Sequence, residues 1–127
     1  EALYHTGDEA GALAALNELR DKRITGVAPY TMETLPEVDE SEYIKVDVTG
    51  KELTPLMNAI LNERRKEFFC EGDRWYELKR NGRPEFWVAR QGRKYTTEKF
   101  LYTWPIPIND MLLVPGLIQN PGYDKTE

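Results

Sequence analysis

The sequence predicts a mainly α-helical fold in which tetratricopeptide-like helices alternate with long irregular loops. Apolar residues recur with helical spacing over residues 10–19 and again over residues 57–68. The segments between and after these stretches are rich in proline and glycine, which favour turns and loops. With 127 residues, of which 40% are apolar and 31% charged, the chain is expected to form a single folded region without an extensive sheet.

Residues 1–25 are predicted to contain a helix. Asp8 follows a Thr-Gly pair and is a good N-cap, and the apolar spacing continues until the helix ends near Arg23. The alanines of this helix allow close packing against a second helix, and such helix pairs are the unit of tetratricopeptide arrays. Residues 1–4 have the pattern of a helix already under way, so we expect the chain to be a piece of a longer protein.

Residues 26–53 are predicted to form a loop. They contain prolines, glycines and an acidic run over residues 37–42, with a short extended piece at residues 43–48. A loop of this length in a compact fold usually binds a ligand or wraps a surface.

Residues 54–82 are predicted to form two helices. Thr54 caps the first, and Pro55 takes its first position, where the missing N–H costs nothing. Cys70, at the end of this apolar helix, is expected to be a small buried residue. After an interruption at Gly72, Asp73 is expected to cap a second helix through Arg80. The residues that the two helices are expected to bury are Met57, Ile60, Leu61, Phe68, Trp75 and Leu78.

Arg64 lies in the middle of the apolar face of the first of these helices. An unpaired buried charge is costly, so either its stem lies along the apolar surface while its head reaches water, or its guanidinium is buried and bonded to a carboxylate or to the backbone carbonyls of residues 105–107. We expect the second. Its flanking residues Glu67 and Glu71 are the expected ion partners.

Residues 83–127 are predicted to be a loop-rich return segment. Basic and aromatic residues are interleaved up to Lys99. Pro105 and Pro107 impose an extended backbone, after which Asn109 or Asp110 is expected to cap one helical turn through Leu113.

The rare residues exclude most catalytic and metal chemistry. The chain has one histidine, His5, one cysteine, Cys70, and one serine, Ser41. These are too few for a disulfide, a Cys/His zinc site or a catalytic triad. Glutamates at four-residue intervals, at positions 63, 67 and 71, are interpreted as an ion-paired helix face and not as a catalytic carboxylate pair. We predict no cofactor and no metal.

The charge distribution argues against nucleic acid as a partner. The net charge is −5, whereas nucleic-acid binding depends on neutralising phosphates. A basic segment does occur over residues 74–99, but residues 1–54 hold an excess of acidic groups with which it can pair.

Four ordered motifs resemble the C-terminal part of the SusD/RagB family. They are the stretches at residues 60–68 (ILNERRKEF), 71–80 (EGDRWYELKR), 102–107 (YTWPIP) and 117–123 (LIQNPGY). The family usually shows E-R-R-x-E-F, E-G-x-R-W/F, P-I-P and Q-N-P-G-Y in this order and at about this spacing. The chain therefore resembles a C-terminal fragment of a larger SusD-like fold.

The resemblance implies a mostly helical lipoprotein on the surface of the outer membrane of Bacteroidetes-type bacteria. Such proteins bind oligosaccharides or other nutrients, peptides included, and cover a SusC-like TonB-dependent transporter; they are not enzymes. The lipid is carried on an N-terminal cysteine that this fragment does not contain. The expected partners are the transporter, the nutrient and the missing N-terminal part of the same protein. The alternative is a tetratricopeptide-like protein-interaction module without glycan affinity.

We interpret the motif residues as scaffold, and we place the candidate glycan contacts elsewhere. The scaffold residues are Arg64, Arg65, Glu67, Glu71, Gly72, Arg74, Trp75, Pro105, Pro107, Asn120, Pro121 and Gly122. Trp87 and Tyr95, which lie among basic residues, are the candidate contacts because aromatic faces bind sugars. The alternative for this segment is that it packs on the missing part of the molecule.

Overall fold

The computed structural model describes residues 1–123 and contains two compact units, Glu1–Gly82 and the residues from Arg83 onward. The elements in chain order are α1 (Ala2–His5), α2 (Glu9–Arg23), α3 (Pro55–Glu67), α4 (Asp73–Arg80), β1 (Trp87–Arg90), β2 (Arg93–Thr96), a 3-10 helix (Lys99–Tyr102) and α5 (Ile108–Leu113). The described chain is therefore mainly α-helical, as predicted, and it also contains a small two-stranded sheet. Within residues 1–123, no helix has the length and apolar character needed to cross a membrane.

The core of the first unit lies between α2 and α3. The N-caps predicted for α2 and α3 are confirmed: Asp8 accepts a hydrogen bond from Gly11 N at 2.8 Å, and Thr54 Oγ1 accepts one from Met57 N at 3.2 Å. Pro55 occupies the first turn of α3, as predicted. The buried core residues are Ala12 and Leu16 from α2, Leu56, Ala59 and Ile60 from α3, and Leu35 from the loop between them.

The loop between α2 and α3 is held by polar side chains. The amide of Asn17 donates to Tyr30 O and accepts from Tyr30 N, both at 2.8 Å, which fixes the loop against α2. Of the predicted extended piece, only an isolated antiparallel bridge between Val46 and Glu52 is present. Ile44, next to that bridge, is buried.

The turn between α3 and α4 corrects two predictions. Cys70 is exposed, not buried, because α3 ends at Glu67 and Cys70 adopts a left-handed backbone conformation with φ of 65° in the turn that follows. Gly72, with φ of 80°, is the N-cap of α4, and Asp73 is the first helical residue and not the cap. A residue without Cβ is needed at that sharp bend. Leu78 is buried as predicted, and Trp75 is half-buried.

The second unit contains a hairpin where the sequence predicted a loop. β1 and β2 pair antiparallel through the two-residue turn Gln91-Gly92, both of which have positive φ. That turn geometry matches the twist of paired strands, but Gln-Gly is a weaker sequence signal than Asn-Gly or Asp-Gly. After the hairpin, Tyr102 is fully buried and its hydroxyl donates to Pro84 O at 2.8 Å.

Helix α5 begins at Ile108, two or three residues earlier than a cap at Asn109 or Asp110 predicts. Its N-cap is Pro107, so Asn109 and Asp110 lie inside the helix and neither caps it. The proline fixes its own φ at −54°, which suits the entry to a helix.

Candidate functional site

Trp87 and Tyr95, the candidate glycan contacts, lie on neighbouring strands of the hairpin. Trp87 is paired with Thr96, and Tyr95 is paired with Val88. Directly opposed residues share one face of a sheet, and successive residues alternate between faces. Trp87 and Tyr95 therefore lie on opposite faces, at 56% and 49% exposure. The two rings form two separate surfaces and not one joint platform.

Each face of the hairpin combines one aromatic ring with basic side chains. On the first face, Lys94 Nζ lies 5.1 Å from the centroid of the Trp87 ring, within the range of cation–π attraction. On the second face, Tyr95 is accompanied by Arg90 and Arg93, which are directly opposed and repel each other. Residues 87–96 contain no carboxylate, imidazole or thiol, so the hairpin has the chemistry of a contact surface.

Arg64 joins α3, α4 and the start of the chain through ion pairs. Its Nε lies 3.3 Å from Glu1 Oε2 and 3.4 Å from Glu77 Oε1, and its Nη2 donates to Asp73 Oδ2 at 3.1 Å. The guanidinium also lies over the ring of Phe68, 5.0 Å from the centroid. The guanidinium is thus paired with carboxylates, but its side chain is half-buried and not fully buried.

The expected pairing of Arg64 with Glu67 is wrong. Glu67 instead forms a two-point ion pair with Arg23 at the end of α2. Glu71 is exposed in the turn after α3. Arg65 is also exposed, and its Nη1 lies 3.6 Å from Glu42 Oε2. The partners of Arg64 come from segments that fold back on α3, and helical spacing within α3 does not reveal them.

Glu77 is a buried carboxylate that the sequence analysis missed. Its side chain is 1% exposed, and its Oε2 accepts a hydrogen bond from Arg74 Nη1 at 2.5 Å. Its backbone carbonyl accepts from the side chain of Asn81, which is fully buried. The spacing of Arg74 and Glu77, three residues apart on one helix, is the sequence signal that could have identified the pair.

Arg20 is a second buried charge that the sequence analysis missed. It is 7% exposed, and its Cζ lies 3.3 Å above the ring of Tyr30. Arg20 follows Ala12 and Leu16 at four-residue intervals, so helical spacing places it on the buried face of α2.

The last two motifs, at residues 102–107 and 117–123, are joined by hydrogen bonds from side-chain amides to the backbone. Gln119 Nε2 donates to Ile106 O at 2.9 Å, and Gln119 Oε1 accepts from Ile106 N at 2.7 Å. The side chain of Asn120 donates to Trp104 O at 2.6 Å. Pro105 and Pro107 thus flank Ile106, whose backbone N–H and C=O are both hydrogen-bonded to the side chain of Gln119.

Shifted pKa values occur in the loop between α2 and α3 and at the end of α2. Burial raises the pKa of Asp47, but hydrogen bonds from Thr49 and from Lys51 N outweigh it and hold that pKa below its usual value. A hydrogen bond from Ser41 N lowers the pKa of Asp39. The carboxylate of Glu67 raises the pKa of Arg23. In residues 1–123, no group of three His, Cys, Asp or Glu residues could hold a metal ion.

Comparison with protein families identifies the chain. The model of the SusD family matches residues 1–100. The chain belongs to the SusD family. The matched range contains α3 and α4, which carry the first two motifs, and it also contains the hairpin. The last two motifs, at residues 102–107 and 117–123, lie beyond it. The SusD family is known as a family of binding proteins and not of enzymes.

Among curated proteins, this SusD-family chain is similar to the SusD-like protein P38 of Formosa agariphila. The two are 28% identical over 123 residues, which cover 97% of this chain and 22% of that protein. The chain thus spans about a fifth of the length of this relative. No solved structure matches the chain.

Proposed function

We propose that this chain is part of a surface-exposed outer-membrane protein that binds oligosaccharide or peptide nutrients. It passes them to a SusC-like TonB-dependent transporter and catalyses no reaction itself. The match of the SusD family over residues 1–100 is the observation that carries this proposal. A lipid on an N-terminal cysteine, outside this sequence, anchors the protein to a Bacteroidetes-type outer membrane.

The hairpin is the proposed nutrient contact. Trp87 and Tyr95 each present an exposed ring beside basic side chains. An aromatic ring provides a flat apolar surface, and a neighbouring ammonium or guanidinium provides hydrogen-bond donors for the polar groups of a sugar or peptide. Because the rings lie on opposite faces, each contacts ligand independently of the other.

The proposed cover of the second unit is the remainder of the same protein. Large apolar side chains in this unit are strongly exposed, namely Trp104, Ile108, Leu112, Leu113 and Ile118. Exposed apolar patches of this kind mark interaction surfaces. The chain represents 22% of the length of the curated relative, so in a protein of that length most of the polypeptide lies outside residues 1–127. In the first unit, α2 and α3 are the proposed tetratricopeptide-like pair.

The test is calorimetric titration of the full protein with a panel of oligosaccharides and peptides. We expect one class to bind, and we expect Trp87→Ala or Tyr95→Ala to weaken that binding about three- to tenfold, the usual contribution of an aromatic contact. Tyr76→Ala, which removes a similarly exposed ring from α4, is the control and should have no effect. Binding that neither hairpin variant changes would show that the contact lies elsewhere.

The second candidate is a tetratricopeptide-like protein-interaction module without glycan affinity. The packing of α2 on α3 favours it. A full protein that binds no oligosaccharide or peptide nutrient, but binds a protein through the α2–α3 pair, would support this candidate against the first.

A further inference from the structure

An open pocket of about 780 Å³ lies in the first unit, at the turn between α3 and α4. Its apolar part is formed by Phe68 and Phe69, and the basic side chains of Arg65, Lys66 and Arg74 complete the wall together with Cys70 and Gly72. Among the described residues that line it, none is acidic. Its volume is in the range of small-molecule sites, about 300–1,000 Å³.

The pocket concentrates positive charge in a chain of net charge −5. Each of its three cations also contacts a carboxylate: Arg65 lies 3.6 Å from Glu42, Lys66 Nζ donates to Glu63 at 2.7 Å, and Arg74 donates to Glu77. The two arginine contacts each involve one of the five N–H groups of a guanidinium, so each arginine has further donors for an anion. The lining is therefore complementary to a negatively charged ligand.

The aromatic part of the pocket favours an apolar ligand body. Phe69 is 78% exposed, and the core of the first unit does not include its ring. Phe68 is half-buried, and its ring carries the guanidinium of Arg64 on one side. Two adjacent phenyl rings next to cationic donors suit a ligand with an apolar body and an anionic group at one end.

We propose that this pocket binds a small organic anion with an apolar body, such as an aryl or branched-chain carboxylate. The carboxylate lies against Arg65 and Arg74, and the apolar body lies against Phe68 and Phe69. All the residues that line the pocket belong to the first unit and none belongs to the hairpin, so the proposal does not rest on glycan binding at the hairpin.

The first test is calorimetric titration of the full protein with 3-phenylpropionate and with its neutral amide, 3-phenylpropanamide. We expect the carboxylate to bind at least about tenfold more tightly, because hydrogen bonds to a charged group contribute more than neutral ones. Equal affinity for the two compounds, or no binding of the carboxylate at millimolar concentration, would overturn the proposal.

The second test uses matched variants whose fold is checked by circular dichroism. Phe69→Ala should weaken binding about three- to tenfold, and Arg65→Gln should weaken it about tenfold. Both side chains are exposed, so neither change removes core packing. The controls are Tyr76→Ala, an exposed ring outside the pocket, and Lys22→Gln, a cation paired with Glu18 on α2.

Affinity that falls in the pocket variants and not in the controls supports the proposal. An equal fall in pocket and control variants would show a non-specific charge or surface effect and would contradict it. Tighter binding of tri-galacturonate than of 3-phenylpropionate, with the same dependence on Arg65, would contradict the proposal that the ligand has an apolar body.

Discussion

Arg64 shows what sequence patterns reveal at the residue scale and what they miss. Its place among apolar residues of α3 predicts that its charge must be paired, and the structure pairs it with carboxylates. Helical spacing suggested Glu67, whereas the actual partners are Glu1, Asp73 and Glu77. Glu1 is distant in sequence, and the other two reach Arg64 only because α4 folds back on α3. Such pairings depend on tertiary structure and cannot be read from spacing on one helix.

Replacing Arg64 by methionine should destabilise the first unit more than the same change at Arg65. Arg64→Met keeps much of the side-chain packing but leaves the buried carboxylate of Glu77 with one cation fewer, so we expect a loss of about 1.5–3 kcal/mol. Arg65→Met removes an exposed contact at 3.6 Å and should cost less than about 1 kcal/mol. Urea unfolding of both variants measures the difference. A neutral Arg64→Met, or a larger loss at Arg65, would contradict the assigned network.

Asp47 should make the stability of the first unit depend on pH. The pKa of Asp47 is lowered in the folded chain because its hydrogen bonds from Thr49 and Lys51 outweigh its burial. Its contribution is therefore present above the usual aspartate pKa of about 4, and it is lost as the pH falls through the lower folded value.

The variant that tests this dependence is Asp47→Asn, which can accept the same hydrogen bonds without the charge. Wild type should be the more stable at neutral pH, and the difference in unfolding free energy should shrink towards about pH 3. Asp21→Asn, at an exposed site on α2, is the control. A difference that grows on acidification would refute the assignment.

At the scale of elements, the starts of α2 and α3 were predicted correctly, whereas the hairpin was not predicted. The caps at Asp8 and Thr54 and the first-turn proline are local signals, and each fixed a helix start correctly. The hairpin has an exposed burial pattern on both strands, so its sequence shows no alternation of apolar and polar residues. Its turn, Gln91-Gly92, also lacks the strong hairpin dipeptides. Trp87 and Tyr95, predicted as glycan contacts, are exposed, and their opposite orientation follows from strand register and was not predicted.

Gly122 is required by close packing, and Gly116 offers a matched comparison. Both have positive φ, so alanine at either position is strained by about 1–2 kcal/mol. A Cβ on Gly122 would also clash with the side chain of Phe100, whereas a Cβ on Gly116 would have no neighbour within 4 Å. We expect Gly122→Ala to cost about 1–3 kcal/mol more than Gly116→Ala. Hydrogen exchange at the Ile106 amide, which Gln119 holds, reports the loss, and equal effects would contradict this packing.

At the scale of the whole molecule, the sequence motifs led to the family, and the family match confirms it. The structure adds that one helix of the described residues packs none of its apolar side chains into a core. Helix α5 has no buried residue, and Leu112 and Leu113 are each more than 70% exposed. A surface helix without a covered face has no reason to carry adjacent leucines unless another part of the protein packs on it. The proposed cover of these leucines is the remainder of the same protein, so no pattern within these 127 residues predicts which side chains pack on them.

The double change Leu112→Gln and Leu113→Gln should affect the full protein and not the isolated chain. In the isolated chain the side chains are exposed, so the change should leave unfolding within about 0.5 kcal/mol. In the full protein each buried leucine contributes about 1.5–3 kcal/mol, and the melting temperature should fall. Equal effects in the isolated chain and in the full protein would contradict the proposal that the remainder of the protein covers these leucines.

The proposed function places the protein at the outer membrane together with a transporter. The most direct measurement is tandem affinity purification of the tagged full protein from detergent-solubilised outer membranes, with the co-purified proteins identified by mass spectrometry. We expect a SusC-like TonB-dependent transporter in near-stoichiometric amount. Recovery of the protein from the cytoplasmic fraction, or from the outer membrane without any such transporter, would contradict the account.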